Sequence, residues 1–155
     1  MCPLMPVRHI QQRGIGYCLP ACAAMAAGQF GLDISQSRLA RNFGTMSGIG
    51  TPFSAIRRLI DFDLAVEVVE WLGIDFLRQA LLSEKAVVAA VLTSRDLPTW
   101  GTLRTQHTLL VTAMEKGRVY YHDPALSWGP VEVSVDAFGL AWSEMSELTA
   151  LIRRA

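Results

Sequence analysis

The segment Gln12-Arg-Gly-Ile-Gly-Tyr-Cys18-Leu-Pro-Ala-Cys22-Ala-Ala-Met25 holds the first residues able to do chemistry. Two glycines place a turn just ahead of Cys18, and strongly helix-forming sequence follows it. A thiol at a helix N-terminus feels the positive end of the macrodipole, which favours the thiolate, the nucleophilic form of sulfur. Gln12 lies six residues upstream, close enough for its amide to return beside the thiol and donate a hydrogen bond to a developing oxyanion. Gln11 stands next to it as an alternative donor. A cysteine in an Ala-rich helix is ordinarily a small buried hydrophobe, and Cys22, one turn beyond Cys18, fits that role. Cys2 is expected in the N-terminal tail without a chemical task. A Cys18–Cys22 metal pair is disfavoured, because three residues separate the thiols rather than two and no second pair exists. No metal or other cofactor is expected.

His107 follows a polar loop holding Pro98, Gly101, Arg104 and Gln106, and opens a strand whose end can face a cleft. Asp123 follows 16 residues later in Tyr120-Tyr-His-Asp-Pro124. In an antiparallel hairpin the start of one strand lies beside the end of its partner, so His107 and Asp123 are expected to be neighbours. An aspartate there accepts from the imidazole, orienting it and stabilising its charged form. Asp-Pro is also a common turn signal, so the two residues carry weight only together. His122 is expected on the opposite face of its strand, and His9 precedes the core.

The elements that must position these residues divide into a helical half and a strand-rich half. Ala21–Phe30 reads as a helix closed by Gly31, and Ser35 or Asp33 caps a second that runs through Phe43. Thr51-Pro52 is an N-cap followed by a first-turn proline, predicting a third helix through Ile56, Leu59 and Ile60. Leu64–Val69 and Ala86–Leu92 are β-branched apolar runs flanking a helix over Asp75–Leu82. His107–Met114 and Arg118–His122 form a hairpin around Glu115-Lys116-Gly117. Val131, Val133 and Val135 alternate as a strand, Ser134 or Asp136 starts a short helix through Trp142, and Leu148–Ile152 reads as a last strand. This order is α+β, one domain over residues 1–155, with the nucleophile's helix packed on an antiparallel sheet.

Composition narrows the function classes. The 155 residues carry 14 Lys+Arg against 14 Asp+Glu, so the marked basic excess of a nucleic-acid binder is missing. With 51% hydrophobic and 18% charged residues the chain can bury a core and is not a disordered segment. Three cysteines cannot all pair within one chain, which reads as reduced thiols. No apolar run reaches the roughly 20 residues of a membrane span, and no secretory signal precedes the core.

Taken in order, Pro6-Val7, Gln12, Cys18-Leu-Pro-Ala-Cys22-Ala-Ala-Met25, Gly50-Thr51, His107-Thr-Leu-Leu-Val111 and Tyr121-His-Asp123-Pro124 resemble the bacteriocin-processing, double-glycine cysteine peptidases of the papain-like superfamily. The resemblance extends through Val133–Trp142 and so spans nearly the whole chain. It implies a papain-like fold with Cys18 as nucleophile, His107 as general base and acid, Asp123 as its orienter and Gln12 as oxyanion donor. It also implies a polypeptide substrate cut after small residues such as a Gly-Gly pair. The family's cysteine usually stands between aspartate and glycine; here Tyr17 and Leu19 hold those places, and with Gln106 they are the expected substrate-contacting residues. Transporter-fused members continue into membrane and ATPase domains that this sequence lacks. The expectation is therefore a cytoplasmic leader processor or a free-standing toxin or effector protease delivered into a target cell, the latter with an inhibitor or immunity protein as partner. A non-catalytic peptide-binding module, or a deamidase or transglutaminase using the same three residues, are the alternative readings.

Overall fold

The computed structural model describes residues 3–155; Cys2 lies outside them. Helix α1 (Cys18–Gln29) follows an N-terminal strap and is buried along nearly its whole length, Leu19 to Ala27 included. Its Ala-rich sequence is what permits this, since alanine forms helix well and buries no polar group. Helix α2 (Gln36–Phe43) is capped by the Ser35 hydroxyl, which accepts from the Arg38 amide at 3.1 Å, and ends at Gly44 in the left-handed region. Of the two predicted caps, Ser35 is the one used.

The third helix differs from expectation. Phe53–Phe62 winds as a 3-10 helix, and Thr51 does not cap it. The Thr51 hydroxyl is instead engaged with the Thr45 hydroxyl at 2.6 Å and the Gly16 carbonyl at 3.4 Å, which ties this segment to the approach to Cys18. The remaining elements are β1 (Leu64–Val69), α3 (Ile74–Leu82), β2 (Ala86–Leu92), β3 (Gln106–Glu115), β4 (Arg118–His122), β5 (Val131–Ser134), α4 (Val135–Ser143) and β6 (Thr149–Arg154). Val135 opens α4 rather than ending the preceding strand, because the Ser134 hydroxyl caps that helix through the Ala137 amide.

The strands form one six-stranded antiparallel sheet in the order β1-β6-β2-β3-β4-β5. Alternation divides its side chains between two cores. Val88 and Leu110 pack with α1, α2 and the 3-10 helix, together with Leu39, Phe43, Ile56 and Leu59. Val87, Ala89, Leu109 and Val111 face the other way, against Leu77 of α3 and Phe138 and Trp142 of α4. The rings of Tyr121, Phe138 and Trp142 pack in series at a tilt through this second core, with centroids 6.5 and 5.5 Å apart.

The strap, residues 4–17, has no regular structure and is held by specific hydrogen bonds. The Met5 amide donates to Gln29, and the Gln12 amide to the Pro124 carbonyl at 2.7 Å. The nearly buried Gln36 side chain bridges two strap residues, accepting from the Arg13 amide and donating to the Gln11 carbonyl. Gly16 turns the strap into α1 at φ +94°, and a Cβ there would stand 2.9 Å from both the Gly50 nitrogen and the Met46 oxygen. Gly16→Ala is therefore expected to destabilise the fold by about 1–3 kcal/mol through backbone strain and a clash with rigid main chain, read from the urea midpoint. An unchanged midpoint would show that the Met46–Gly50 turn gives way freely.

Candidate active site

Cys18 is the first residue of α1, and Tyr17 before it supplies no side-chain cap. The unpaired amides of the first helical turn therefore keep their positive field for groups placed at that end. The Cys18 thiol is partly buried and meets the His107 imidazole and both the side chain and the backbone of Thr108 at the start of β3. Burial works against its ionisation, but hydrogen bonding and charge from His107, with Thr108, outweigh it, and the thiol pKa falls below the ordinary value. Cys22 shows the opposite balance. It is fully buried, with only the Thr108 hydroxyl approaching its Sγ at 3.6 Å, and burial pushes its pKa well up.

His107 Nε2 and Asp123 Oδ1 are 2.7 Å apart, with the two residues 6% and 1% exposed. Burial alone would favour the neutral imidazole; the Asp123 carboxylate and then Cys18 reverse this and raise its pKa to about 9. Asp123 stays ionised despite its own burial because His107 holds its charge, helped by the Ala125 amide on Oδ1 at 2.9 Å and the Trp100 indole N–H on Oδ2 at 2.8 Å. The lowered thiol pKa and the raised imidazole pKa both favour the thiolate–imidazolium pair, set in a row with the Asp123 carboxylate. Such a row suits nucleophilic attack on a carbonyl followed by proton delivery to the leaving group.

A cleft of about 470 Å³ opens over Cys18 and His107. Gln12 lines it, with its side-chain N–H donating to the Gly14 carbonyl at 2.7 Å and its amide oxygen buried without a partner. Gln11 turns away, its side chain donating to the Ala125 carbonyl at 3.3 Å. Leu19, 1% exposed, lies at the floor of the cleft, and Gln106 stands exposed on its rim. Tyr17 does not line it; its carbonyl accepts from the Ala21 amide at the foot of α1.

Three features of the site carry almost no local sequence signal. Trp100 packs on His107, with ring centroids 4.8 Å apart; the only hint was an aromatic inside a polar loop. Thr108 touches both thiols. His9, which the sequence places merely ahead of the core, pairs with His122, Nδ1 to Nδ1 at 2.8 Å, while its Nε2 meets the Leu126 carbonyl at 2.7 Å. A carbonyl only accepts, so His9 Nε2 carries a proton, and one hydrogen is shared between the two Nδ1 atoms. This pair fastens the strap to the turn that follows Asp123.

The chain matches the model of the Peptidase_C39 like family over residues 4–150. Among solved structures, the peptidase domain of Streptococcus ComA, a bifunctional ABC transporter in a quorum-sensing pathway, superposes with TM-score 0.75 at 18% identity, covering 94% of this chain and 97% of that one. A C39-like peptidase from Bacillus anthracis gives 0.74 at 15% identity over 99% and 98%. A double glycine motif protease from an AMS/PCAT transporter, in complex with its leader peptide, gives 0.71 at 13% identity over 99% and 95%. No curated protein matches the sequence.

Two outcomes follow from these charge states. At pH 6.5, Cys18 is expected to react with iodoacetamide at least tenfold faster than Cys22, measured by peptide mass mapping; equal rates would remove the activated thiol. His122, held near pKa 4 by burial and by His9, stays neutral in the fold while an unfolded histidine protonates below about 6.5. Its contribution is therefore full above pH 6.5 and lost as pH falls toward 4. The urea midpoint should drop across that window, and His122→Gln should flatten the drop.

Proposed function

Because the chain belongs to the Peptidase_C39 like family, we propose that it is a cysteine peptidase in which Cys18, His107 and Asp123 form the catalytic set. The observation that carries this reading is the buried His107–Asp123 pair, 2.7 Å apart, beside a helix-terminal thiol whose ionisation it promotes. The Cys18 thiolate attacks the scissile carbonyl, and the electron pair displaced from the C=O bond becomes an oxyanion. Gln12 lies in the cleft with one amide hydrogen held by Gly14 and a second free to donate to that oxygen. Collapse of the intermediate breaks the C–N bond as His107 protonates the leaving amine. A thioester remains, and His107, now neutral, takes a proton from the water that hydrolyses it.

The substrate class follows from the cleft. Ile15, Ile49, Phe53, Leu103, Met145 and Leu148 form its walls, and its described lining holds no Lys, Arg, Asp or Glu side chain. Such a lining suits an extended, uncharged segment with apolar side chains and gives a charged one no counter-ion. Cleavage after small residues, a Gly-Gly pair among them, agrees with Leu19 filling the cleft floor and with the leader-bound double-glycine protease of the same fold. The natural substrate we propose is a leader-bearing precursor peptide.

Cys18→Ala should abolish cleavage, read as the loss of new N-termini that wild type generates in a mixture of precursor peptides and cell proteins. New termini persisting in that variant would overturn the assignment, whereas termini arising in cellular proteins but not in precursors would mark an effector protease. Gln12→Ala should lower kcat by roughly 100- to 1000-fold with KM little changed, the signature of a donor used mainly in the transition state.

A further inference from the structure

Building on the peptidase reading, we propose that Trp100 is a positioning residue that locks the Asp123 carboxylate with its indole N–H and shields the His107 imidazole with its ring. The two contacts are independent. Indole Nε1 donates to Asp123 Oδ2 at 2.8 Å, which leaves Oδ1 for His107 Nε2 and the Ala125 amide. The carboxylate is thereby held at both oxygens and cannot rotate without losing a charge-assisted bond. The ring packs on the imidazole at 4.8 Å between centroids and 59° between planes, on the cleft side, where water would otherwise reach the ion pair.

The loop that carries Trp100 is built to hold it there. Residues 93–105 are stitched at their base: the Thr93 amide donates to the Thr105 carbonyl, and the Thr93 hydroxyl donates to Leu103 while accepting from the Thr105 amide. Leu97, 1% exposed, anchors the loop in the second core. Trp100 itself sits between Thr99 at φ +76° and Gly101 at φ +55°. A left-handed conformation is costly for a β-branched residue, and strain of this kind persists only where surrounding contacts hold it. The stitched base of the loop, the Leu97 anchor and the Trp100 hydrogen bond to Asp123 surround this turn.

Trp100→Phe keeps a ring over the imidazole but removes the N–H, leaving Asp123 Oδ2 without its partner and the smaller ring open to water. Screening by that water weakens the imidazolium's hold on the thiolate. The expected result is that the pH midpoint of Cys18 alkylation by iodoacetamide rises by roughly 0.5–1 pH unit, about a three- to tenfold slower reaction at pH values below the wild-type midpoint. A merely structural tryptophan would lower the melting temperature and leave that midpoint in place; an unchanged midpoint in a folded variant overturns the proposal. A second measurement requires no change at Trp100. Its indole N–H proton resonance should move upfield in Asp123→Asn, and an unmoved resonance overturns the proposal equally. Failure of either test leaves the assignment of Cys18 intact, since that rests on its reactivity relative to Cys22 and on the loss of cleavage in Cys18→Ala.

Discussion

A buried carboxylate must be satisfied, and the arrangement around Asp123 is organised by that constraint. Its side chain is 1% exposed, so its charge survives only because three donors converge on it: His107, Trp100 and the Ala125 amide. The side chains of the site come from different pieces of the fold. His107 opens β3, Asp123 ends the β4 side of the hairpin, Trp100 descends from the loop after β2, and Cys18 arrives on the helix packed against the sheet. Removing the carboxylate would leave the imidazole buried and uncompensated, and removing the imidazole would strand the carboxylate. The chemistry and the local stability therefore rest on the same contacts.

The sheet converts that constraint into the geometry of the proposed catalytic set. By alternation, Thr108, Leu110 and His122 face the α1 side, while Leu109, Val111 and Tyr121 face the α3 and α4 side. Cys18 belongs to the first side and Trp100 packs with the second. The site thus sits where the two cores meet at the end of the sheet, with the thiol reaching the imidazole around the strand's first residues. The strap closes the arrangement from above, linked to Pro124 by the Gln12 amide and to the following turn by His9.

Much of this was legible in residue order. Strands β1, β2 and β4 have the bounds that their apolar, β-branched runs predict, and the hairpin geometry brings His107 to Asp123 from spacing alone. Cys18 at a helix start was readable because glycines and an alanine-rich run flank it. What escaped was set by tertiary partners. Thr51 has the sequence signature of a cap, yet its hydroxyl is taken by Thr45 and Gly16, and the following helix winds as 3-10. Tyr17 sits beside Cys18 in sequence but does not line the cleft; it stands outside the helix as its N-cap, with its carbonyl accepting from the Ala21 amide. Trp100 and His9 lie in segments without periodicity, and no local pattern says which distant side chain they meet. Gln11 and Gln12 could not be ranked until the strap's hydrogen bonds turned one inward.

The place of β6 in the sheet has a consequence for how the molecule comes into being. This strand is the last in chain order, yet it lies between β1 and β2 and bonds to both. Until it arrives, β1 has no neighbour on which to zip, and β2 presents an open edge beside a half-built core. Pairings of such wide sequence separation close late and slowly, because loop entropy must be spent before any contact returns it. A chain emerging from the ribosome thus exposes its thiol long before the sheet that activates it is whole. Cys18 is made first as an ordinary cysteine, and it meets its proposed partners only when β3 and β4 have brought His107 and Asp123 together.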